Sequence, residues 1–343
     1  MKSISGSSLF RLKDAPFVLV KNARLALDLN QLPVISSDQV NNAKALAEQD
    51  GYRTFADVPL FSVAIRDPMF LHYFHFMEIF LTLYAVHREL LPGAHLEEIY
   101  FGSFDWNNPS QNNVQREILS LLYPTTTIIT EQMNETVEIE NLLYIDRSLA
   151  FSPLNKILDP LVLLLIKRSP ELRHDVHKKL AIRSIPESEG NRYPKILYTR
   201  RSPPRTLSKD VEKEFLEILC TFGELEIVDF ARCSWQEQVR TAARNDIIVG
   251  VHGNNLTNLL WLPKHGMVME IFPKYVHQYD YQIMSEAMHL EYYGLGGDRI
   301  FRNISRHGAS YAYASDLVTR LMVNEVQLVL TSFIIRRKAK MEA

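Results

Sequence analysis

The chain has 343 residues, 46% hydrophobic and 23% charged, with 38 Lys and Arg against 40 Asp and Glu and a formal net charge of -2. At about 150 residues per domain that is room for two buried cores, and it excludes disorder, collagen and coiled coil. Near neutrality argues against bulk attraction to nucleic acid, and two cysteines, Cys220 and Cys233, are too few for a disulfide framework and lack zinc-ribbon spacing, so a reducing compartment fits.

In chain order, residues 1–16 are polar and read as neither signal nor anchor, so the expected location is the cytoplasm. Strand-like runs at 60–65, 96–102 and 126–130 alternate with helical stretches at 70–91 and 110–122. The segment 69–86, MFLHYFHFMEIFLTLYAV, is nearly long and apolar enough to span a bilayer. Glu78 at its middle would cost about 3 kcal/mol there, with His72 and His75 adding to it, so a buried soluble helix is expected. The polar stretch 185–192, IPESEGNR, carries Pro and Gly and is the expected linker.

Beyond it the order is more regular. Residues 195–199 (KILYT) read as a strand and 208–222 as a helix with Ser208 at its N-cap, followed by a strand at 225–230. Ser234 and Glu237 have capping-box spacing at the start of the next helix. Residues 246–252 (DIIVGVH) form a continuous apolar strand, 254–262 a short helix, and 267–272 a further strand. Strictly alternating strands and helices imply a parallel sheet with crossovers, a Rossmann-like domain. Residues 315–340 read as a long terminal helix ending in Arg336, Arg337, Lys338 and Lys340. Those cations suit either a helix C-terminus or peripheral contact with an anionic membrane.

The chemistry concentrates in 250–273, GVHGNNLTNLLWLPKHGMVMEIFP. Gly250 and Gly253 bracket His252 at a strand's carboxyl end, where small residues let the backbone turn sharply and approach a ligand. The helix starting near Asn254 turns its free N–H groups on the same crevice, with Asn255 and Thr257 nearby, which is an anion site. The plainer alternative is a tight turn at Gly253 with Asn254 as the helix cap. Arg200, Arg201 and Arg205 in YTRRSPPR leave another strand on the same edge, and guanidinium suits forked contact with phosphate oxygens.

The string HGNNLTNLLWLPKHGMVMEIFP resembles the closing motif of glycosyltransferase family 61, written around H-G-A-G-L-T-N with a following Pro and a late Glu. ILYTRRSPPR, LEIVDFARCSWQEQVRTAARND and HYFHFMEIF are similar to other segments of that family, so the resemblance runs from about residue 70 to 293. It implies an α/β protein of GT-B type: two Rossmann-like domains facing a cleft, an acceptor-side domain over 1–185 and a donor domain over 192–314, followed by the C-terminal helix 315–343. It further implies inverting transfer from a nucleotide sugar, commonly UDP-xylose, UDP-arabinose or UDP-N-acetylglucosamine, to a glycan or glycoconjugate acceptor, with no cofactor beyond the donor. His252, Gly253, Leu256, Thr257 and Asn258 hold motif positions, while Arg200 and Glu270 match the arginine and the late acid. Asn254 and Asn255 depart from the usual small pair.

An inverting transfer needs a base for the acceptor hydroxyl and positive charge for the departing diphosphate. No Asp-x-Asp sequence is present, so leaving-group stabilisation falls to Arg200, Arg201 and the helix near Asn254, without metal. Glu270 is expected to accept from ribose hydroxyls or to stand in water. For the base the sequence offers Glu78 with His75 orienting or replacing it, because His72, His75 and Glu78 recur every third residue on one broad helix face and burial raises a carboxylate's pKa. The bland alternatives are a satisfied buried histidine and a glutamate paired elsewhere; Asp105, in FGSFDWNN, stands in reserve. A Rossmann oxidoreductase is disfavoured by the absence of G-x-G-x-x-G, which leaves a non-catalytic nucleotide- or carbohydrate-binding module as the main rival.

Overall fold

The computed structural model describes residues 8–10, 17–26, 58–66, 72–101, 109–129, 136–146, 160–183, 193–202, 206–207, 209–272, 280–295 and 320–342. The chain forms two compact units, Met1–Leu172 and Arg173–Ala343. The division falls inside a helix, Pro160–Lys179, while the linker expected at 185–192 lies outside the described residues.

The first unit is built on a six-stranded sheet ordered β1-β2-β6-β3-β4-β5. Its strands are β1 (Ser8–Phe10), β2 (Phe17–Ala26), β3 (Leu60–Arg66), β4 (His95–Phe101), β5 (Thr127–Ile129) and β6 (Thr136–Asp146). β6, β3, β4 and β5 run parallel, as expected from the alternation with α1 (Tyr73–Leu90) and α2 (Pro109–Leu122). The expectation of a purely Rossmann-like sheet is corrected at one side, because β2 pairs antiparallel with β6 and β1 antiparallel with β2. The sequence of β2, FVLVKNARLA, mixes cations with apolar residues, and an antiparallel margin can face water where a doubly covered parallel strand cannot.

α1 is buried almost all round, with Phe76, Met77, Phe80, Leu83 and Val86 all in the core. That is the pattern of a helix enclosed by its own unit. Among the described residues no helix is long and apolar enough to cross a membrane.

The second unit carries a five-stranded, wholly parallel sheet ordered β11-β10-β9-β7-β8. The strands are β7 (Lys195–Thr199), β8 (Glu224–Val228), β9 (Ile247–Val251), β10 (Met267–Ile271) and β11 (Glu291–Leu295). Every residue of β9 and β10 is buried, which their near-continuous apolar sequences require. α3 (Pro160–Lys179) ends in this unit, and α4 (Lys209–Phe222), α5 (Trp235–Ala243), α6 (Asp280–Ala287) and α7 (Arg320–Glu342) belong to it. The capping box at the head of α5 forms as the spacing predicts, with Ser234 N–H donating to Glu237 Oε2 at 2.8 Å and Ser234 Oγ accepting from Glu237 N–H at 3.3 Å.

Two expectations change here. Residues Asn254–Trp261 form a 3-10 helix, and its cap is Gly253 rather than Asn254, without a side-chain cap bond. The terminal helix α7 is no separate element, since Val326, Leu330 and Phe333 complete the core formed by Tyr198, Phe215, Val249 and Met269. Two of its cations pair with the sheet: Arg336 with Glu291 at 2.6 Å and Arg337 with Asp246 at 2.9 Å. Two of the four cations that suited either a helix C-terminus or a membrane surface therefore hold the helix to its own sheet.

Candidate active site

In the second unit the chain leaves β7 towards β8 on one side, then crosses back to lay down β9, β10 and β11 on the other. The reversal between β7 and β9 makes a topological switch point, and the carboxyl ends flanking it are where doubly wound sheets bind ligands. Thr199, Arg200 and Arg201 end one strand, while His252 and Gly253 end the other.

Close approach of these strands explains Gly250, and the backbone turn explains Gly253. A Cβ at Gly250 would run into Thr199 Oγ1, which donates to Val249 O at 3.3 Å. Gly253 has φ 143° and ψ -176°, backbone open essentially to glycine alone. The two exits are then laced together: Arg201 Nη1 donates to His252 O at 2.9 Å, and Asn255 Nδ2 to Arg200 O at 3.2 Å.

The arginines behave differently from one another. Arg200, expected to reach phosphate, is held by both oxygens of Glu212 in α4, each contact 3.1 Å. It borders an open groove of about 500 Å³ whose other walls include Lys209, Lys213, Leu216 and Ile227. Arg201 is half-buried at the switch point itself. Arg205 lies outside the described residues.

His252 sits in a cage. Its ring stacks on Phe272 (centroids 5.8 Å apart, 21° between planes) and meets Tyr281 of α6 edge-on at 5.5 Å. A Cβ on Gly294 would press within 2.8 Å of Phe272, so that glycine makes room for the stacked ring. His252 Nδ1 hydrogen-bonds Glu270 Oε1, and Tyr292 O–H donates to Glu270 Oε2 at 2.6 Å. Glu270 is therefore neither a carboxylate in water nor turned to a ribose, because it is completely buried and both its oxygens are engaged. Burial pushes its carboxyl above the usual carboxylate range, while the bonds and charge of His252 and the Tyr292 bond pull the other way. Tyr281, enclosed and near the Glu270 charge, has its hydroxyl pushed well up, burial being the main cause.

Leu256, Thr257 and Asn258, carried over as donor-binding by motif position, have their side chains entirely inside the unit. Asn258 Nδ2 donates to Gln238 Oε1 of α5 at 3.0 Å and to Asn255 O at 3.1 Å, which makes it a brace for the 3-10 helix. Burial fixes this: the 3-10 helix packs one face on α5, including Trp261 edge-on to Trp235, and only Asn254 and Asn255 remain half-exposed at its head.

In the first unit, α1 opens near the carboxyl end of β3, itself next to β6 where that sheet reverses. His75 Nδ1 and Glu78 Oε2 are 2.9 Å apart, and the His72 and His75 ring centroids lie 5.4 Å apart. The spacing thus brings the acid and its neighbouring histidine together, with Glu78 buried and His75 15% exposed at the side chain. Asp105 lies outside the described residues. Among the described residues no group of three or more His, Cys, Asp or Glu is arranged to hold a metal ion.

Sequence reasoning missed Thr199, Glu212, Phe272, Tyr281 and Tyr292. One signal was available: a glutamate inside MVMEI, an otherwise unbroken apolar strand, must have a partner on a neighbouring element.

The chain is thus an α/β protein whose second unit has a wholly parallel sheet with a topological switch point at the β7/β9 reversal. The family model Glycosyltransferase 61 matches residues 73–269, more than half of the chain, from the first residue of α1 into β10. The chain belongs to that family and is by that membership a glycosyltransferase. No curated protein matches it.

Proposed function

We propose that the protein is an inverting, metal-independent transferase of GT-B type, moving a sugar of the xylose, arabinose or N-acetylglucosamine class from a UDP-sugar to a glycan hydroxyl, in the synthesis of a surface polysaccharide or glycoprotein glycan. The observation that carries the reading is the convergence at the β7/β9 switch point of Arg201, His252, the Gly253 turn and the head of the 3-10 helix, in a chain of this family. Main-chain N–H groups and a guanidinium at such an edge favour a diphosphate.

The acceptor oxygen attacks the anomeric carbon as the bond to the diphosphate oxygen breaks, UDP departs, and the hydroxyl proton passes to a base. The His75–Glu78 pair is the group for that proton, with Glu78 fixing the ring through Nδ1. The donor then belongs to the second unit, and the acceptor, with its base, to the first. This enzyme works at the cytoplasmic face of a membrane system that exports glycans.

The engagement of Arg200 by Glu212 favours a second reading, a nucleotide- or carbohydrate-binding module derived from such an enzyme. Calorimetry with UDP- and GDP-sugars, followed by turnover assays with acceptor glycans, separates the two. Turnover with inversion at the anomeric carbon, seen by NMR, supports the enzyme; donor binding with no transfer or hydrolysis supports the module. In the enzyme, Glu78→Gln and His75→Ala each lower kcat by about 10²–10⁴-fold with donor affinity unchanged, and near-normal turnover in both variants removes the pair from the mechanism.

A further inference from the structure

The buried line Tyr292–Glu270–His252 crosses three elements, from β11 through β10 to the end of β9, by side-chain bonds added to the main-chain ladder. A carboxylate with no exposure is costly inside a sheet and persists where a specific partner needs it. Its partner is the imidazole of His252 at the switch point, caged by Phe272 and Tyr281. Nδ1 faces the carboxylate, so Nε2, on the far edge of the ring, is directed away from the buried acid. With its main-chain carbonyl also tied by Arg201, His252 is fixed at both ends.

We infer that Glu270 and Tyr292 are positioning residues that hold His252 with Nδ1–H towards Glu270 and give its imidazolium a buried counter-charge, so that Nε2–H donates to the diphosphate of the donor. The inference rests on the proposed donor class for its last step. Tyr292 O–H occupies the second carboxylate oxygen, which leaves His252 as the group to which Oε1 is committed. No covalent step is involved: the proton stays on Nε2 and the hydrogen bond to the leaving diphosphate strengthens as its charge grows. Among the described residues, Tyr281 of α6 meets this ring edge-on, Asp280 of α6 acts electrostatically on Glu270 and Tyr281, and Arg201 after β7 bonds the main chain of His252 and acts electrostatically on Tyr281.

The test uses the full chain labelled with ¹⁵N-histidine, as wild type, Glu270→Gln, Glu270→Asp and Tyr292→Phe, with His252→Ala to assign the resonance. NMR across pH 5.5–8.5 reads the tautomer and titration of His252, and calorimetry reads UDP affinity at pH 6 and pH 8. The expected result is an Nδ1–H tautomer in the wild type, and a His252 titration moved to lower pH in Glu270→Gln. UDP affinity in that variant falls about tenfold at pH 8 and much less at pH 6; Glu270→Asp restores part of it, and Tyr292→Phe shifts both readouts the same way by less. An Nε2–H tautomer, or an equal loss of UDP affinity at both pH values, overturns the inference. If Glu270→Gln does not fold, Tyr292→Phe carries the same comparison. A wild type that binds no UDP but shows the Glu270-dependent titration overturns the donor reading while upholding the positioning of His252.

Discussion

Gly253 shows how much of the site depends on single residues. Its φ of 143° with ψ near 180° turns the chain from β9 into the 3-10 helix within one residue, and a side chain in that region costs about 1–3 kcal/mol. Gly253→Ala should therefore lower the melting temperature of the second unit by several degrees. It should also weaken UDP binding, because the head of the 3-10 helix moves with the turn; calorimetry at a temperature where the variant is folded separates the two effects. An alanine with wild-type UDP affinity would mean that the helix head does not meet the donor. The glycines, His252 and Arg201 were legible because strand-end glycines and arginines in one sheet point to one edge. What those side chains touch was not legible. The Glu212 grip on Arg200 and the Tyr292 bond to Glu270 depend on how a strand exit meets the following helix and how two neighbouring strands come into register, which periodicity along the chain does not fix. Leu256, Thr257 and Asn258 show the converse, since motif position suggested a ligand and three-dimensional packing turned all three inward.

At the scale of elements, the second unit was readable almost to its boundaries because its strands are unbroken apolar runs separated by amphipathic helices. The first unit was harder. β1 escaped notice because it is only three residues long, β2 and β6 because charged residues interrupt their apolar runs, and α3 because a short apolar run gives way to polar sequence with Pro170 inside the helix. α3 nonetheless matters to the site. Arg173 Nη1 donates to Leu262 O at 2.9 Å, placing a cation at the C-terminal end of the 3-10 helix whose head faces the crevice. Burial pulls Arg173 down to about 10, and one turn on it pulls His177, bonded to the main chain of Trp261, down to about 4, with the Arg173 charge adding to the effect. Because the folded value of His177 lies below the unfolded 6.5, the unfolded chain takes the proton first. Stability is then whole above about pH 6.5 and falls as pH drops towards 4. Urea denaturation at pH 7.5 and pH 5 should show a loss of about 2 kcal/mol from this group in the wild type. His177→Gln, which cannot titrate, should lose correspondingly less, and identical pH dependence in the two proteins would remove His177 as the cause.

Across the second unit as a whole, the clasp of the terminal helix and the proposed donor crevice sit at opposite edges of one parallel sheet. The crevice lies at the carboxyl ends of β7 and β9, whereas α7 is clasped near the amino ends. There Arg337 pairs with Asp246, and Asp246 Oδ2 in turn accepts from Lys195 N–H at 2.8 Å at the start of β7. The near-neutral composition conceals this division, in which Arg201 stands at the proposed donor edge while Arg336 and Arg337 pin the terminal helix. Phe333, wholly enclosed in the core, should cost about 3–5 kcal/mol when cut to alanine. Arg337→Gln should cost less, about 1–3 kcal/mol, because the arginine keeps 23% exposure while the carboxylate it leaves behind keeps only 5%. Both variants, studied by denaturation and then by calorimetry under conditions where they are folded, should bind UDP as the wild type does. Selective loss of UDP affinity in folded Arg337→Gln would show that the two edges are coupled through β7 and β9, and that α7 takes part in donor binding as well as in holding the sheet.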